Sequence, residues 1–185
     1  PDAVNGQDNK MWSFTGSGYY WMPQLMEDPY NPSACYVAGG STTSGSHIFY
    51  LSANGSSITY IEQDFDFSEG GDAKISAMAY DKSNPINRYV LTSEGTFFIS
   101  NDFGTTWNKS EGFSSPGCHY FYGASIVVSQ TNPNTIYIGG SGYSSSPVFV
   151  SYDAGESFEP YNDGLPFTLV FDLVLNDDET MLFAA

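Results

Sequence analysis

An eight-residue phrase occurs twice in this chain, and it constrains the fold more than any other feature. Residues 100–107 read SNDFGTTW and residues 151–158 read SYDAGESF, so both copies follow the pattern S-x-D-x-G-x-(S/T)-(W/F). Each copy directly follows an apolar run that is typical of a strand. The Asp carboxylate can accept hydrogen bonds from turn amides, and the Gly can adopt positive φ without a Cβ clash. The phrase therefore predicts a β-hairpin at each place, and a degenerate copy at residues 52–57, SANGSS, predicts a third hairpin.

A second phrase, Asn-Pro followed by a tyrosine, occurs three times. The Asn-Pro pairs begin at residues 31, 84 and 132, and the tyrosines are Tyr36, Tyr89 and Tyr137. These tyrosines are 53 and 48 residues apart, and the aspartates of the first phrase, Asp102 and Asp153, are 51 residues apart. A repeat of about fifty residues that holds four short strands has the size of one β-propeller blade.

These two periods predict an all-β fold. We expect a β-propeller of four-stranded antiparallel blades, as one segment over residues 1–185, with approximate repeats at 20–70, 71–122, 123–166 and 167–185. The last repeat is truncated, so we expect about three and a half blades of an incomplete ring, since closed propellers have roughly four to eight blades. The alternative is an open stack of sheets, which would expose apolar faces at both ends. We therefore expect a segment of a larger protein.

The first phrase resembles the Asp-box, also called the BNR repeat, of sialidases, sortilin-like receptors and related propellers. The resemblance extends over roughly residues 20 to 185 and is closest to the sortilin-like and secreted bacterial types. In those families the box lies on outer hairpins far from the chemistry, so the resemblance implies a structural role. The box residues are Ser100, Asp102, Gly104, Thr106 and Trp107 in the first copy and Ser151, Asp153, Gly155, Ser157 and Phe158 in the second.

Several propellers with this box are enzymes, which raises two catalytic alternatives. A sialidase-like site holds its substrate carboxylate with three arginines, and Arg88 is the one arginine of this chain, so we expect no sialidase activity. Xyloglucanase-type glycoside hydrolases also resemble the repeat, and they use two carboxylates as acid and base. The carboxylates that could serve are Asp28, Asp72, Asp81 and Asp172, although no surrounding motif singles out a catalytic pair.

Clustered aromatic residues suggest a binding function instead. The candidates are Trp12, Tyr19, Tyr20 and Trp21 near the start of the chain, together with Tyr120 and Tyr122. Flat amphipathic rings of this kind stack on sugars or on protein side chains. The alternative interpretation is that they fill the wedges between blades, because alternate residues of a strand face inward.

The charge of the chain is strongly one-sided. It contains 21 acidic and 5 basic residues, for a formal net charge of −16. Nucleic acid is not an expected partner, because its recognition needs clustered Lys and Arg and the cations here are scattered. Anionic membranes are disfavoured for the same reason, and the apolar runs are too short to predict membrane insertion. Such acidity is typical of proteins that stay soluble in an extracellular medium.

Metal and disulfide chemistry each leave an alternative open. Asp64 with Asp66, or the acidic run 177–179, could supply the oxygen ligands that Ca²⁺ prefers, but neither fits a twelve-residue EF-hand loop. We therefore expect no metal site and no cofactor, with Ca²⁺ as the alternative. The two cysteines, Cys35 and Cys118, fit a chain that leaves the cytoplasm, and whether they form a disulfide stays open.

Together these features favour a non-enzymatic recognition or scaffolding segment of a larger secreted or cell-surface protein or assembly. Its expected partners are a protein or a glycan, along with the rest of the same propeller or another chain that completes the ring. The alternative is part of a carbohydrate-active glycoside hydrolase of the xyloglucanase type. Either function is compatible with the predicted fold, because folds do not dictate function.

Overall fold

The computed structural model describes residues 23–38, 44–110, 123–140, 146–166 and 168–185. Within these ranges the chain forms fourteen strands and no helix, so it holds no helix that could cross a membrane. The predicted all-β fold is confirmed. The structure divides into two compact units, with the division between Ile75 and Ser76.

The first unit contains one four-stranded sheet. Its strands are β1 (Leu25–Glu27), β2 (Ala34–Ala38), β3 (Ile48–Asn54) and β4 (Ser57–Glu62), which pair antiparallel in chain order. The two-residue loop between β3 and β4 has a φ of 62° at Gly55, a conformation that glycine adopts without a Cβ clash. The hairpin predicted at residues 52–57 is therefore present.

The apolar side chains of this sheet gather on one of its faces. Val37, Phe49 and Leu51 form a buried cluster, and the partly buried Cys35 and Ile58 pack against it. The register pairs Cys35 with Leu51 and Val37 with Phe49, so alternation along both strands brings these side chains to the same face. Burial of each large apolar side chain contributes roughly 1.5–3 kcal/mol.

The second unit begins within β5 and contains two four-stranded sheets and one two-stranded sheet among its described residues. The first of these sheets consists of β5 (Ile75–Tyr80), β6 (Arg88–Thr92), β7 (Phe97–Ser100) and β8 (Asn108–Lys109). The second consists of β9 (Gly123–Val128), β10 (Ile136–Gly140), β11 (Val148–Ser151) and β12 (Glu159–Pro160). The third pairs β13 (Leu173–Leu175) with β14 (Leu182–Ala184). All three are antiparallel, with their strands in chain order.

The three sheets of the second unit pack through their apolar faces. On β10, Ile136 and Ile138 lie in a buried cluster with Phe97 of the preceding sheet. Tyr137, between them in sequence, packs against a cluster that includes Leu173 of the following sheet. Since successive side chains of a strand point to opposite faces, the middle sheet is covered on both sides. This is the arrangement of stacked propeller blades.

Two glycines allow neighbouring sheets to approach closely. A Cβ atom on Gly123 of β9 would lie 2.3 Å from the Leu91 side chain of β6. A Cβ atom on Gly139 of β10 would lie 3.0 Å from the Leu173 side chain of β13. The first separation is impossible for packed atoms and the second is tighter than ordinary contact, so larger residues would push the sheets apart.

Candidate functional site

The two copies of the eight-residue phrase form the same turn. We call them the first Asp turn (residues 100–107) and the second Asp turn (residues 151–158). Each turn connects the third strand of its sheet, β7 or β11, with a two-residue outer strand, β8 or β12. Both therefore lie on the outer hairpin of a four-stranded sheet.

In the first Asp turn, a carboxylate and a hydroxyl accept the hydrogen bonds of the turn amides. Asp102 accepts from the Thr106 amide at 2.8 Å, from the Thr106 hydroxyl at 2.6 Å and from the Ser100 hydroxyl at 2.8 Å. The Ser100 oxygen in turn accepts from the Gly104 amide at 2.8 Å. The carboxylate thus closes the top of the turn, and the buried serine closes its base.

The second Asp turn repeats this network. Asp153 accepts from the Ser157 amide at 2.8 Å, from the Ser157 hydroxyl, and from the Ser151 hydroxyl at 2.8 Å. The Ser151 oxygen accepts from the Gly155 amide at 2.8 Å. The same residue types at the same spacing therefore produce the same local structure twice.

Each Asp turn is hydrogen-bonded to the loop that follows the Asn-Pro pair of its own sheet. The Phe103 amide donates to the Ile86 carbonyl at 3.0 Å, and the Ala154 amide donates to the Asn134 carbonyl at 2.9 Å. The two phrases that repeat along the sequence are therefore partners in space within each sheet.

The aromatic residues at the ends of the two Asp turns pack differently. The Trp107 indole lies under its own turn and donates to the Gly104 carbonyl at 3.1 Å. Phe158 instead packs edge-on against Phe97 of the preceding sheet, with ring centroids 4.9 Å apart. The second Asp turn thus contributes to packing between sheets as well as to its own hairpin.

Hydrogen bonding shifts the acidity of both turn aspartates in the same direction. The Thr106 hydroxyl and amide hold the pKa of Asp102 below its usual range. Burial raises the pKa of Asp153, but hydrogen bonds from Ser157 and Ser151 outweigh it and lower the pKa overall. Both groups are thus stabilised as carboxylate acceptors, which suits bracing a turn rather than donating a proton.

A cleft of about 440 Å³ lies between β7–β8 and the second Asp turn. Ile99 and Lys109 line one side, and Ala154 and Glu156 line the other. The Ser110 hydroxyl, also at this cleft, donates to the Glu156 carbonyl at 3.0 Å. The volume is within the range of small-ligand sites, and the mixed charges suit hydrogen bonding to amides or hydroxyls. This cleft is a concave candidate for recognition among the described residues.

Two of the aspartates proposed as acid–base candidates accept hydrogen bonds in the turns that contain Asn-Pro. Asp28 accepts from the Tyr30 amide at 2.9 Å and from the Tyr50 hydroxyl at 2.9 Å. The buried Asp81 accepts from the Ser83 amide at 2.8 Å and from the Ser83 hydroxyl at 2.6 Å. Both carboxylates therefore help to build the connection between the first two strands of their sheets.

The other two candidates lie in different settings. Asp172 accepts from the Ser125 hydroxyl at 3.0 Å and from the Leu173 amide at 2.9 Å, which joins the start of β13 to β9. Asp72 is exposed in the turn before β5. Three of the four candidate carboxylates are thus engaged with donors of the protein itself.

Two of the acidic groups considered for calcium accept hydrogen bonds within the protein. Asp66 accepts from the Ser46 amide at 2.8 Å and from the Ser68 amide at 2.9 Å. Asp178 accepts from both the amide and the hydroxyl of Thr180. Among the residues that the structure describes, no group of three or more His, Cys, Asp or Glu side chains could hold a metal ion.

Glu179 makes a long-range contact that sequence patterns did not indicate. Its carboxylate accepts hydrogen bonds from the Ser129 hydroxyl, from the Gln130 amide at 2.6 Å, and from the amide and hydroxyl of Thr131. Burial raises the pKa of Glu179, but these bonds outweigh it and lower the pKa to about 2. Because donor and acceptor are 50 residues apart along the chain, no local motif could have revealed the pair.

Several predicted residues lie outside the described ranges. These are the aromatic binding candidates Trp12, Tyr19, Tyr20, Trp21, Tyr120 and Tyr122, and also Cys118. Cys35 is half-buried and forms no disulfide with any described residue, and burial raises the pKa of its thiol. The aromatic binding surface therefore stays a prediction.

Solved structures with a similar backbone include two enzymes of glycoside hydrolase family 74 (GH74). The GH74 enzyme of Niastella koreensis has a TM-score of 0.62 and 22% identity, over 87% of this chain and 25% of that chain. The GH74 xyloglucanase of Xanthomonas campestris has a TM-score of 0.63 and 18% identity, over 83% of this chain and 25% of that chain. YCF48 bound to the D1 peptide has a TM-score of 0.56 and 8% identity, over 88% of this chain and 50% of that chain.

The chain has a β-propeller fold. Its four-stranded antiparallel sheets and its likeness to these structures agree on this architecture. No family model matches the sequence, and no curated protein matches it. The chain spans about a quarter of the length of the two GH74 enzymes and half of the length of YCF48, so the likeness establishes the fold and leaves the activity to be inferred from the site.

Proposed function

We propose that this chain is a non-enzymatic recognition or scaffolding segment of an extracellular propeller. In this proposal it belongs to a larger secreted or cell-surface protein or assembly, and its partner is a protein or a glycan. The rest of the propeller, or another chain, completes the ring. The repeats at 20–70, 71–122, 123–166 and 167–185 are its blades.

The observation that carries this proposal is the use of the acid–base candidates as acceptors within the protein. A glycosidase acid must be able to hold and release a proton beside the substrate. Asp28 and Asp81 instead accept hydrogen bonds from amides and hydroxyls of their own sheets, and Asp172 accepts one from the Ser125 hydroxyl of the neighbouring sheet. Such bonds hold each carboxylate in a structural position within the protein.

The hydrogen bonds that the two Asp turns share support the assignment of the phrase as an Asp-box of the sortilin-like or secreted bacterial type. In this proposal Asp102 and Asp153 brace outer hairpins and have no role in ligand chemistry. Their lowered pKa values and their bonds to Thr106 and Ser157 are what a bracing role requires.

The cleft beside the second Asp turn gives the proposal a concrete recognition site. It offers the cation of Lys109 and the carboxylate of Glu156 on opposite sides, and hydrogen-bonding groups between them. YCF48, which shares the fold, is seen bound to a peptide. Rigid antiparallel sheets that carry polar clefts are suited to binding a partner without catalysing a reaction.

The second candidate is a part of a xyloglucanase-like glycoside hydrolase, favoured by the backbone likeness to two GH74 enzymes. The test is to incubate the full 185-residue chain with xyloglucan and to measure new reducing ends. We expect none above a buffer blank. Release that is abolished by replacing Asp28, Asp72, Asp81 or Asp172 with Asn would contradict the recognition function.

A further inference from the structure

The outer strand of the first sheet differs from the other two outer strands. β4 is six residues long, whereas β8 and β12 have two residues each. β8 ends in Lys109 and β12 ends in Pro160, residue types that discourage pairing with another chain. β4 reads SITYIE and carries neither type. Propellers generally keep their edges short and protected, so β4 is an exception among the three outer strands that the structure describes.

The register of β4 shows which main-chain groups face away from the sheet. The Gln63 amide donates to the Ile48 carbonyl at 2.8 Å, and β4 continues the antiparallel pairing from there. Hydrogen-bonded and non-hydrogen-bonded pairs alternate along such a ladder. Thr59 and Ile61 therefore direct their main-chain groups toward β3. Ile58 and Tyr60 direct theirs outward.

The side chains along β4 are largely exposed on both faces. Tyr60 is 41% exposed and Ile61 is 64% exposed, and the two lie on opposite faces of the sheet. Tyr60 also contacts Phe49 at a centroid distance of 6.2 Å, so it extends the apolar cluster of the sheet to its edge. An added strand would find apolar contacts above and below the edge as well as outward main-chain donors and acceptors.

The charge of the first unit indicates which kind of strand could pair with β4. Within the described residues 23–38 and 44–75, seven carboxylates stand against Lys74 as the one Lys or Arg. Glu62 ends β4 with a carboxylate oxygen 4.0 Å from the His47 ring, and the exposed Asp64 follows two residues later. A second copy of this chain is disfavoured, because each copy has a formal net charge of −16. A basic segment is complementary in charge.

We propose that β4 is a docking edge for an extended, lysine- or arginine-rich segment of a partner protein, which adds to the sheet as a fifth strand. This inference rests on the proposed recognition function and names the surface and the partner chemistry. The main-chain groups of Ile58 and Tyr60 supply affinity, and the carboxylates near the end of β4 select a cationic partner.

The probe is the acetylated and amidated heptapeptide Lys-Val-Lys-Val-Lys-Val-Lys, titrated calorimetrically into the full chain. Its control is the same peptide with every backbone amide N-methylated, which keeps the charge and removes the donors. We expect the control to bind at least tenfold more weakly. We also expect at least tenfold slower hydrogen exchange at the Tyr60 amide when the unmodified peptide is bound.

Two variants locate the site. Tyr60→Lys places a cation on the edge, and Ser56→Lys places the same charge in the adjoining loop. We expect Tyr60→Lys to weaken binding at least tenfold and Ser56→Lys to weaken it no more than threefold. Equal losses in both variants, or equal binding of the N-methylated peptide, would overturn the docking edge because charge alone would then explain binding. Peptide-induced hydrolysis of xyloglucan would instead contradict the recognition function and leave the location of the edge untouched.

Discussion

The buried serine at the base of each Asp turn contributes more to the turn than its size suggests. The Ser151 side chain, 1% exposed, donates to Asp153 and accepts from the amides of Asp153 and Gly155. The Gly155 amide is buried, so no water can replace the serine oxygen there. An unpaired buried amide is costly.

We predict that Ser151→Ala lowers the free energy of unfolding by about 1–3 kcal/mol, because the buried Gly155 amide loses its acceptor. Urea unfolding followed by circular dichroism measures the effect. Ser56→Ala, in the exposed loop between β3 and β4, is the matched control and should change stability by less than about 0.5 kcal/mol. Equal effects of the two substitutions would show that Ser151 does not brace the turn.

Gly155 and Gly164 both have positive φ, but only Gly155 is packed against a neighbouring sheet. Gly155 has a φ of 94°, and an added Cβ would lie 2.6 Å from the Phe97 ring. Gly164 has a φ of 79°, with nothing within 4 Å of the added atom. Both Ala variants carry the strain of positive φ, but Gly155→Ala also forces the sheets apart. We expect it to lose about 1–3 kcal/mol more than Gly164→Ala in thermal unfolding. Similar losses would contradict the close packing.

At the scale of elements, each of the three turns that contain Asn-Pro has a carboxylate that accepts a hydrogen bond from a turn amide, but the carboxylate has two different origins. In the turns at residues 28–34 and 81–87, the first residue is an Asp that accepts from the amide two residues later. In the turn at residues 129–135, the first residue is Ser129, and the carboxylate comes from Glu179 on the β13–β14 hairpin. The third turn therefore depends on a neighbouring element.

We predict that Glu179→Gln frees the β13–β14 hairpin from the middle sheet, because the amides of Gln130 and Thr131 lose a charged acceptor. Amide exchange at Phe183, whose amide faces β13, should accelerate, while exchange in β6 should be unchanged. Adding Ser129→Asp should restore order to the turn at residues 129–135 without restoring the hairpin. Recovery of both, or of neither, would contradict this division of roles.

The pH dependence follows from the same contact. The pKa of Glu179 is lowered from 4.5 to about 2, so its bonds stabilise the folded chain above pH 4.5 and are lost as pH falls through about 2. We therefore expect the stability of the wild type to decrease more steeply than that of Glu179→Gln between those two values. Urea titrations at intermediate pH measure the difference. Parallel pH profiles would show that the carboxylate is not bonded in solution.

The elements whose signals are local in sequence could be predicted. The hairpins of the two Asp turns and the strands around Tyr89 and Tyr137 follow from turn chemistry and alternation within a few residues. The Glu179 contact and the length of β4 could not be predicted, because neither has a local signal. The first joins residues about 50 positions apart, and the second depends on how far β3 and β4 stay paired. The aromatic candidates lie outside the described residues, so that part of the predicted site stays a prediction.

At the scale of the whole molecule, the repeat period was sufficient to predict a propeller of four-stranded blades. Two phrases recurring near every fifty residues imply one structural unit used several times, and the sheets have that form. Function could not be predicted with the same ease, since structures with this fold include GH74 enzymes and a peptide-bound protein. The blades form the scaffold, and the activity of a propeller depends on the side chains and edges exposed on it.

The formal net charge of −16 gives a prediction for the whole chain. Raising NaCl from 0.01 to 0.15 M shortens the screening length from about 30 to about 8 Å and reduces self-repulsion. We expect the melting temperature to rise over this range. Sorbitol of equal osmolality, which does not screen charge, should produce a smaller rise. A melting temperature independent of NaCl would show that repulsion between carboxylates is not significant for folding.

The carboxylate of Glu179, which lies on one repeat and completes a turn of the repeat before it, has an evolutionary consequence. A repeat whose Asn-Pro turn is completed by its own aspartate keeps that turn when it is duplicated or moved. The repeat that begins near residue 123 does not, because one of its turns is completed by its successor. Ser129 and Glu179 are therefore expected to change together across descendants of this gene, and the boundary between these two repeats is the one that recombination would tolerate least.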